Sequence, residues 1–122
     1  MANIIPFAFR GELLSGTHSF ANGGNEFRIP LYTSNPYSTS STAYLTTNEV
    51  SASNTGYTAG GKLLASQAVA SGTAVASVDF ADSTLSNATF TAAFAAIYND
   101  TNSDKLCVVL DFGGNKTATN GS

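Results

Sequence analysis

The sequence predicts a mainly β fold: a compact β-sandwich or small barrel of five to seven strands with a short N-terminal helix. Three observations carry this expectation. Short stretches alternate apolar and polar side chains, as in Phe27, Ile29 and Leu31 against Arg28 and Pro30, which is the period of a half-buried strand. Turn-forming segments separate those stretches, and Ser, Thr and Asn together fill 41 of the 122 positions. Near the N-terminus, one apolar segment runs into Gly16, a helix stop;.

Taken in order, residues 1–9 read as an N-terminal arm, stiffened by Pro6;. A short helix over residues 8–15 follows, with Gly16 in the C-cap role and Gly11 costing it about 1 kcal/mol. Asn22-Gly-Gly-Asn25 is a turn that launches a strand over residues 27–33;. Pro30 cannot donate to a ladder, so this strand is expected at an edge, or with Pro30 facing away from its neighbour. Residues 34–54 read as a long surface loop with one helical turn near 47–50. A glycine-rich turn, Gly56-Tyr-Thr-Ala-Gly-Gly-Lys62, then leads to strands over 63–69 and 74–80 joined at Ser71-Gly72. Residues 82–87 are polar. Residues 89–98 fit both helical and strand spacing, and their Thr content and flanking turns favour strand. After a turn at 99–104, a central strand over 105–112 carries Leu106, Val108, Leu110 and Phe112 on one face. Residues 113–122 read as a flexible tail. The whole is one domain, 1–122, with 10–112 as its β body. Its expected core is Phe27, Ile29, Leu31, Val78, Phe80, Phe94, Leu106, Val108 and Leu110.

Composition narrows function. Charged residues are 11% of the chain, with one histidine, one cysteine and no tryptophan. Catalysis needs titratable groups held together, and few are on offer. The formal charge is −3, and the five cations (Arg10, Arg28, Lys62, Lys105, Lys116) are scattered, which argues against nucleic acid as a partner. Cys107 sits in the apolar run 106–110 and reads as a buried small hydrophobe;. No stretch approaches the ~18 apolar residues of a membrane span, and the start lacks the pattern of a signal peptide. The expectation is a protein made in a cytoplasm, with no membrane partner. Asn-x-Ser/Thr triplets at Asn87, Asn99, Asn115 and Asn120 are what so Thr- and Asn-rich a chain produces by chance.

Candidate chemistry is thin. Asp100, Asn102, Asp104 and Asp111 imitate part of a calcium loop, but Lys105 stands where its glycine belongs, and residues 106–110 read as strand;. Gly56 to Lys62 has the spacing of a phosphate loop, yet Leu63 replaces the magnesium-binding Ser/Thr;. Its glycines fit positive φ at a strand entry. His18 has no carboxylate or second histidine at ligand spacing. Asp79 and Asp82 form a carboxylate pair that nothing places in a cleft. No catalytic residue, metal site or cofactor is expected. The five tyrosines, Tyr32, Tyr37, Tyr44, Tyr57 and Tyr98, sit in polar company. They suit either contact with a partner or capping of the core.

Certain landmarks carry a resemblance: Phe9-Arg-Gly-Glu-Leu-Leu-Ser-Gly16, Phe27-Arg-Ile-Pro-Leu-Tyr-Thr33, Asn48-Glu-Val-Ser51, Gly56 to Lys62, Val78-Asp-Phe80, Phe94-Ala-Ala-Ile-Tyr-Asn-Asp100 and Leu106 to Gly114. In that order they resemble a group of small tailed-bacteriophage virion proteins, over nearly the whole chain. The resemblance implies a virion location, assembly in the bacterial cytoplasm and no enzymatic activity. It does not distinguish capsid decoration, head-fibre and tail components. The favoured expectation is a capsid decoration (cement) protein on the outer surface of the shell. It would bind the major capsid protein as a homo-oligomer, a trimer on a capsomer junction. The alternative is a tail or fibre component involved in host-surface adhesion. Partner contact is expected from the arm, through Ile4, Ile5, Phe7 and Phe9, with Tyr37, Tyr44 and Tyr57 adding rim contacts. The arm is expected to dock on a neighbour, so that the domain folds without it.

Overall fold

The computed structural model describes residues 3–21, 24–52, 56–71, 76–80 and 88–121. The helix is α1, Phe7–Leu14. Gly16 ends it as expected: at φ +77° its N–H reaches Leu13 O at 3.2 Å, and Thr17 N–H reaches Glu12 O at 2.9 Å. That pair of bonds is a Schellman closure, which needs a left-handed residue where the glycine stands. Pro6 sits at the N-cap and is buried, and α1 itself buries no residue.

Strands β1 (Phe27–Ile29) and β2 (Leu31–Tyr32) lie along one edge of a long strand further on in the chain. Two further short strands, β3 (Lys62–Leu63) and β4 (Ala68–Ser71), precede β5 (Ala76–Asp79). The long strand is β6, Ala88–Asn99, and β7 is Lys105–Gly121. Register along β6 is unbroken across Pro30, with Phe27 opposite Asn99 and Tyr32 opposite Phe94. Pro30 accepts from Ala96 N–H at 3.1 Å, so its missing N–H removes one bond and divides β1 from β2;. The expectation of an edge strand is corrected: β1 lies inside the sheet, between β6 and β3, and Pro30 faces β6. Beside β2, Val50 N–H binds Leu31 O at 2.9 Å and Tyr32 bridges Glu49. The helical turn expected near 47–50 is therefore an extended bridge entered by a turn at Asn48, φ 62°.

On the other edge of β6 runs β7, antiparallel, out to Gly121 opposite Ala88. Residues 113–121 are strand, not the expected flexible tail. The N-terminal half of β6 supplies their ladder, and Thr117 and Thr91 pair hydroxyls at 2.9 Å. The outer edge of β7 is covered in turn by Thr42 to Tyr44 and by the arm, where Ile4 and Val109 exchange both backbone bonds at 2.9 and 2.8 Å. The five-stranded antiparallel sheet is open, not closed into a barrel, and β4 with β5 forms a separate two-stranded sheet. The mainly β expectation with one short helix holds. Gly72 of the expected Ser71-Gly72 turn, the start of the following strand and the polar stretch 82–87 lie outside the described residues.

Glycine 61 shows why the glycine-rich turn is glycine-rich. It has φ +91°, and a Cβ there would sit 2.4 Å from Pro30 N and 2.5 Å from Ile29 C. Only a bare backbone lets the turn lie against β1 and feed β3.

The core has three clusters. One gathers Tyr32, Tyr37, Ala96, Leu106 and Val109 with Ile4 and Phe94 against them. A second gathers Phe27, Leu64 and Cys107 with Phe9, Phe20, Ile29, Phe80 and Ile97. The third holds Val50, Tyr57 and Ala92. Of the expected core, Phe27 and Leu106 are fully buried, whereas Ile29, Leu31, Phe80, Phe94, Val108 and Leu110 are half-buried. The side chain of Val78 lies outside the described residues. For the two β7 residues among these, Val108 and Leu110, the cause is a bulge: the register passes from Ile97↔Val108 to Tyr98↔Leu106, leaving Cys107 without an opposite residue. Alternation breaks there, so Leu106 and Val109 share one cluster while Cys107 joins another;.

The bulge ranks two leucines of β7. Leu106→Ala should cost about 2–5 kcal/mol, because Leu106 is wholly enclosed and a cavity remains;. Leu110→Ala should cost clearly less, and urea unfolding of the two variants compares them. Equal losses would mean that β7 alternates without interruption.

Candidate functional site

Two polar centres and one exposed patch stand out, and the tyrosines build the first. Glu49, bridged to Tyr32, accepts from the hydroxyls of Tyr44 and Tyr57 and from Gly60 N–H at 2.8 Å. Tyr57 Oη also accepts Leu31 N–H at 3.1 Å. Tyr98 donates to Gly60 O at 2.6 Å and stacks on Tyr44 with centroids 4.6 Å apart. Deeper in, the Tyr32 hydroxyl donates to Leu45 O at 2.8 Å, and Leu45 N–H donates to Tyr37 Oη at 2.9 Å. The Tyr37 hydroxyl then donates to Tyr32 Oη at 2.5 Å, which satisfies both phenols;.

Burial pushes all five phenols above the ordinary tyrosine value, Tyr98 to about 12. For Tyr44 and Tyr57, donation to Glu49 adds to the effect of burial. Every tyrosine is thus spent on pinning the 34–61 loop to the sheet. The expectation that Tyr37, Tyr44 and Tyr57 present rim contacts is corrected. Tyr37 and Tyr57 are only 5% and 4% exposed, and Tyr44 is half-buried under its stack on Tyr98.

The second centre is His18, whose side chain is wholly buried. Its Nε2 lies 2.9 Å from Glu12 Oε1, and its Nδ1 lies 2.9 Å from Asn99 Nδ2 and 3.9 Å from Cys107 Sγ. Asn99 fixes the protons. Its Oδ1 accepts Thr101 N–H at 3.1 Å and Asn102 N–H at 3.2 Å, so its Nδ2 must donate to His18 Nδ1;. The imidazole therefore carries its proton on Nε2 and donates to Glu12. The order thiol, imidazole, carboxylate is that of an activated nucleophile, but the geometry defeats that use. Asn99 already occupies the Nδ1 lone pair. Cys107 is 2% exposed, and burial pushes its thiol up to about 12. What the centre does is join α1, through Glu12, to β6 and β7, with Lys105 Nζ 3.6 Å from the second Glu12 oxygen. Sequence spacing hid this: Glu12 is six residues from His18, and Asn99 is 81 away.

Elsewhere, Asp100 binds Arg28 Nε at 3.0 Å in the turn before β7, and residues 105–110 are strand, which removes the calcium-like arrangement. Among the described residues no group of three His, Cys, Asp or Glu is placed to hold a metal ion. The glycine turn has positive φ at Gly56, Gly60 and Gly61 and packs on β1. Asp82 lies outside the described residues, as does the side chain of Asp79. No described helix is long and apolar enough to cross a membrane.

The arm divides. Ile4 and Phe9 pack into its own domain, whereas Ile5 is 47% and Phe7 60% exposed. The structure thus seats the arm on its own sheet, where docking on a neighbour was expected. Leu13 and Leu14, which were not among the expected contact residues, are 45% and 92% exposed at the end of α1. The spacing of Phe7 and Leu14, seven apart on a helix, was the signal that places both on one face. None of the family models, curated proteins or solved structures compared with the chain matches it.

The tyrosine network makes an alkaline prediction. A phenol whose folded value lies above its unfolded value of about 10 stabilises the fold below that pH, and the contribution is lost as pH rises through the folded value;. Spectrophotometric titration should show the tyrosines of the folded protein ionising above the ordinary value of about 10, with Tyr98 titrating near pH 12, together with loss of structure;. Two or more tyrosines titrating freely near pH 10 would mean that the loop is not pinned as described.

Proposed function

We propose that this protein is a non-enzymatic structural component of a bacteriophage virion, a capsid decoration protein that binds the outer surface of the shell and stabilises it. The observation that carries the reading is a division of labour in the molecule. The tyrosine hydroxyls, Glu49, His18 and Asn99 are satisfied by partners within the domain, and no described buried side-chain nitrogen or oxygen lacks a partner. The large apolar residues left in water include four at one end, Ile5, Phe7, Leu13 and Leu14. An exposed apolar group on a domain with few charges suits a permanent protein contact, because little charge has to be desolvated. The sequence resemblance points the same way. The major capsid protein is the proposed partner, with self-association into a trimer at a capsomer junction. Adhesion through a tail or fibre component would use exposed Tyr, Asn and Ser to meet a glycan. The tyrosine hydroxyls are committed inside the domain, which removes one of the supports of that reading.

Quantitative gel or mass analysis of purified particles tests the proposal. The chain should be present at a copy number within a small factor of the major capsid protein. Particles made without its gene should lose heat resistance and regain it when the purified protein is added. A few copies per particle, located on the tail, would contradict the proposal.

A further inference from the structure

The proposed reading leaves open where the domain touches its partner, and α1 carries the answer. On a helix, Phe7, Arg10, Gly11 and Leu14 share one face, at spacings of three, four and seven. Phe7 and Leu14 are the most exposed apolar residues there, at 60% and 92%. Between them the Arg10 guanidinium lies 5.5 Å over the Phe7 ring. Among the described residues no carboxylate pairs with Arg10, whereas Arg28 and Lys105 both have acidic partners. A cation without its counter-ion thus sits in the middle of an apolar stripe, on a chain of net charge −3.

Gly11 supplies an independent observation. A glycine inside a helix is less stable than alanine, and here the fold gives no reason for it. A Cβ added at Gly11 meets nothing within 4 Å. The notch it leaves opens outward, between Arg10 and Leu14. The face is also held rigid: the Schellman bonds close one end of α1, the Ile4–Val109 pair anchors the arm, and Glu12 is clamped to His18. A face that is rigid before contact loses little entropy on binding.

We infer that the Phe7–Arg10–Gly11–Leu14 face of α1 is the docking surface, and that it fits a protein partner offering an apolar recess for Phe7 and Leu14, an acidic side chain for Arg10 and a protruding side chain that enters the notch at Gly11. The partner takes its identity from the capsid reading, on which this inference rests. The unpaired cation argues against a second copy of the same face, which would set Arg10 against Arg10.

The test is binding of purified variants to particles made without the protein's gene. Phe7→Ser, Leu14→Asp, Arg10→Glu and Gly11→Leu should each weaken binding by about tenfold or more. Gly11→Ala separates fold from contact, since it should melt no lower than the wild type, and circular dichroism should show all five variants folded. Wild-type binding with the Phe7, Arg10 and Leu14 variants unaffected would overturn the docking face and leave the decoration proposal standing. No binding by the wild type would overturn both. A wild-type dimer in sedimentation that these variants convert to monomer would overturn the assignment in favour of a second copy.

Discussion

The fold depends on a central strand built from alanine. β6 is the strand against which β1, β2 and β7 all pair, and Ala92, Ala95 and Ala96 along it are at most 2% exposed. Alanine has little intrinsic preference for a strand, so β6 is held by ladders on both edges. What its small side chains provide is room. Large rings come close to them: Tyr32 and Tyr37 pack over Ala96, and Tyr57 packs with Ala92. The volume of the core is therefore supplied by aromatics from strands, loops and arm. A larger residue in the middle of β6 would collide with them.

A core assembled this way places heavy demands on its loops. Ordering the long segment between β2 and β3 costs backbone entropy at every residue, and few aliphatic side chains are available there to offset it. The tyrosines take that role. Each buries a ring and donates a hydroxyl to a fixed acceptor, at Glu49, Gly60, Leu45 or a second tyrosine. Glu49 is the hub, and its three bonds explain how a carboxylate can sit among rings. His18 does the same for the helix. It converts α1, which buries nothing itself, into a fixed part of the sheet's flank.

What was legible in the sequence was local. The helix and its Gly16 stop follow from spacing within a few residues, and the strand over 89–98 follows from Thr content and flanking turns. The mainly β class follows from both. Illegible features depend on a distant partner. A run of Asn, Lys and Thr at 115–120 looks like tail until residues 88–92 offer it a ladder. The bulge at Cys107 exists only relative to β6, and it moved Val108 and Leu110 one step of alternation away from the expected core. Tyrosine beside serine and asparagine reads identically whether its hydroxyl meets water or Glu49. Of the expected contact residues, Ile5 and Phe7 remain at the surface. Ile4, Phe9, Tyr37 and Tyr57 were drawn inward by pairings that no spacing announces.

The central claim is that this chain spends its tyrosine hydroxyls, Glu12 and Glu49 on holding itself together, and that the face proposed to meet a partner is one side of α1. Residue-resolved covalent footprinting of the protein, free and bound to particles, tests that most directly. The account predicts protection on binding at Ile5, Phe7, Arg10 and Leu14, with the tyrosines of the 34–61 loop shielded equally in both states. Tyr37, Tyr44 and Tyr57 labelling readily in the free protein and becoming protected on the particle, with α1 unchanged, would contradict it.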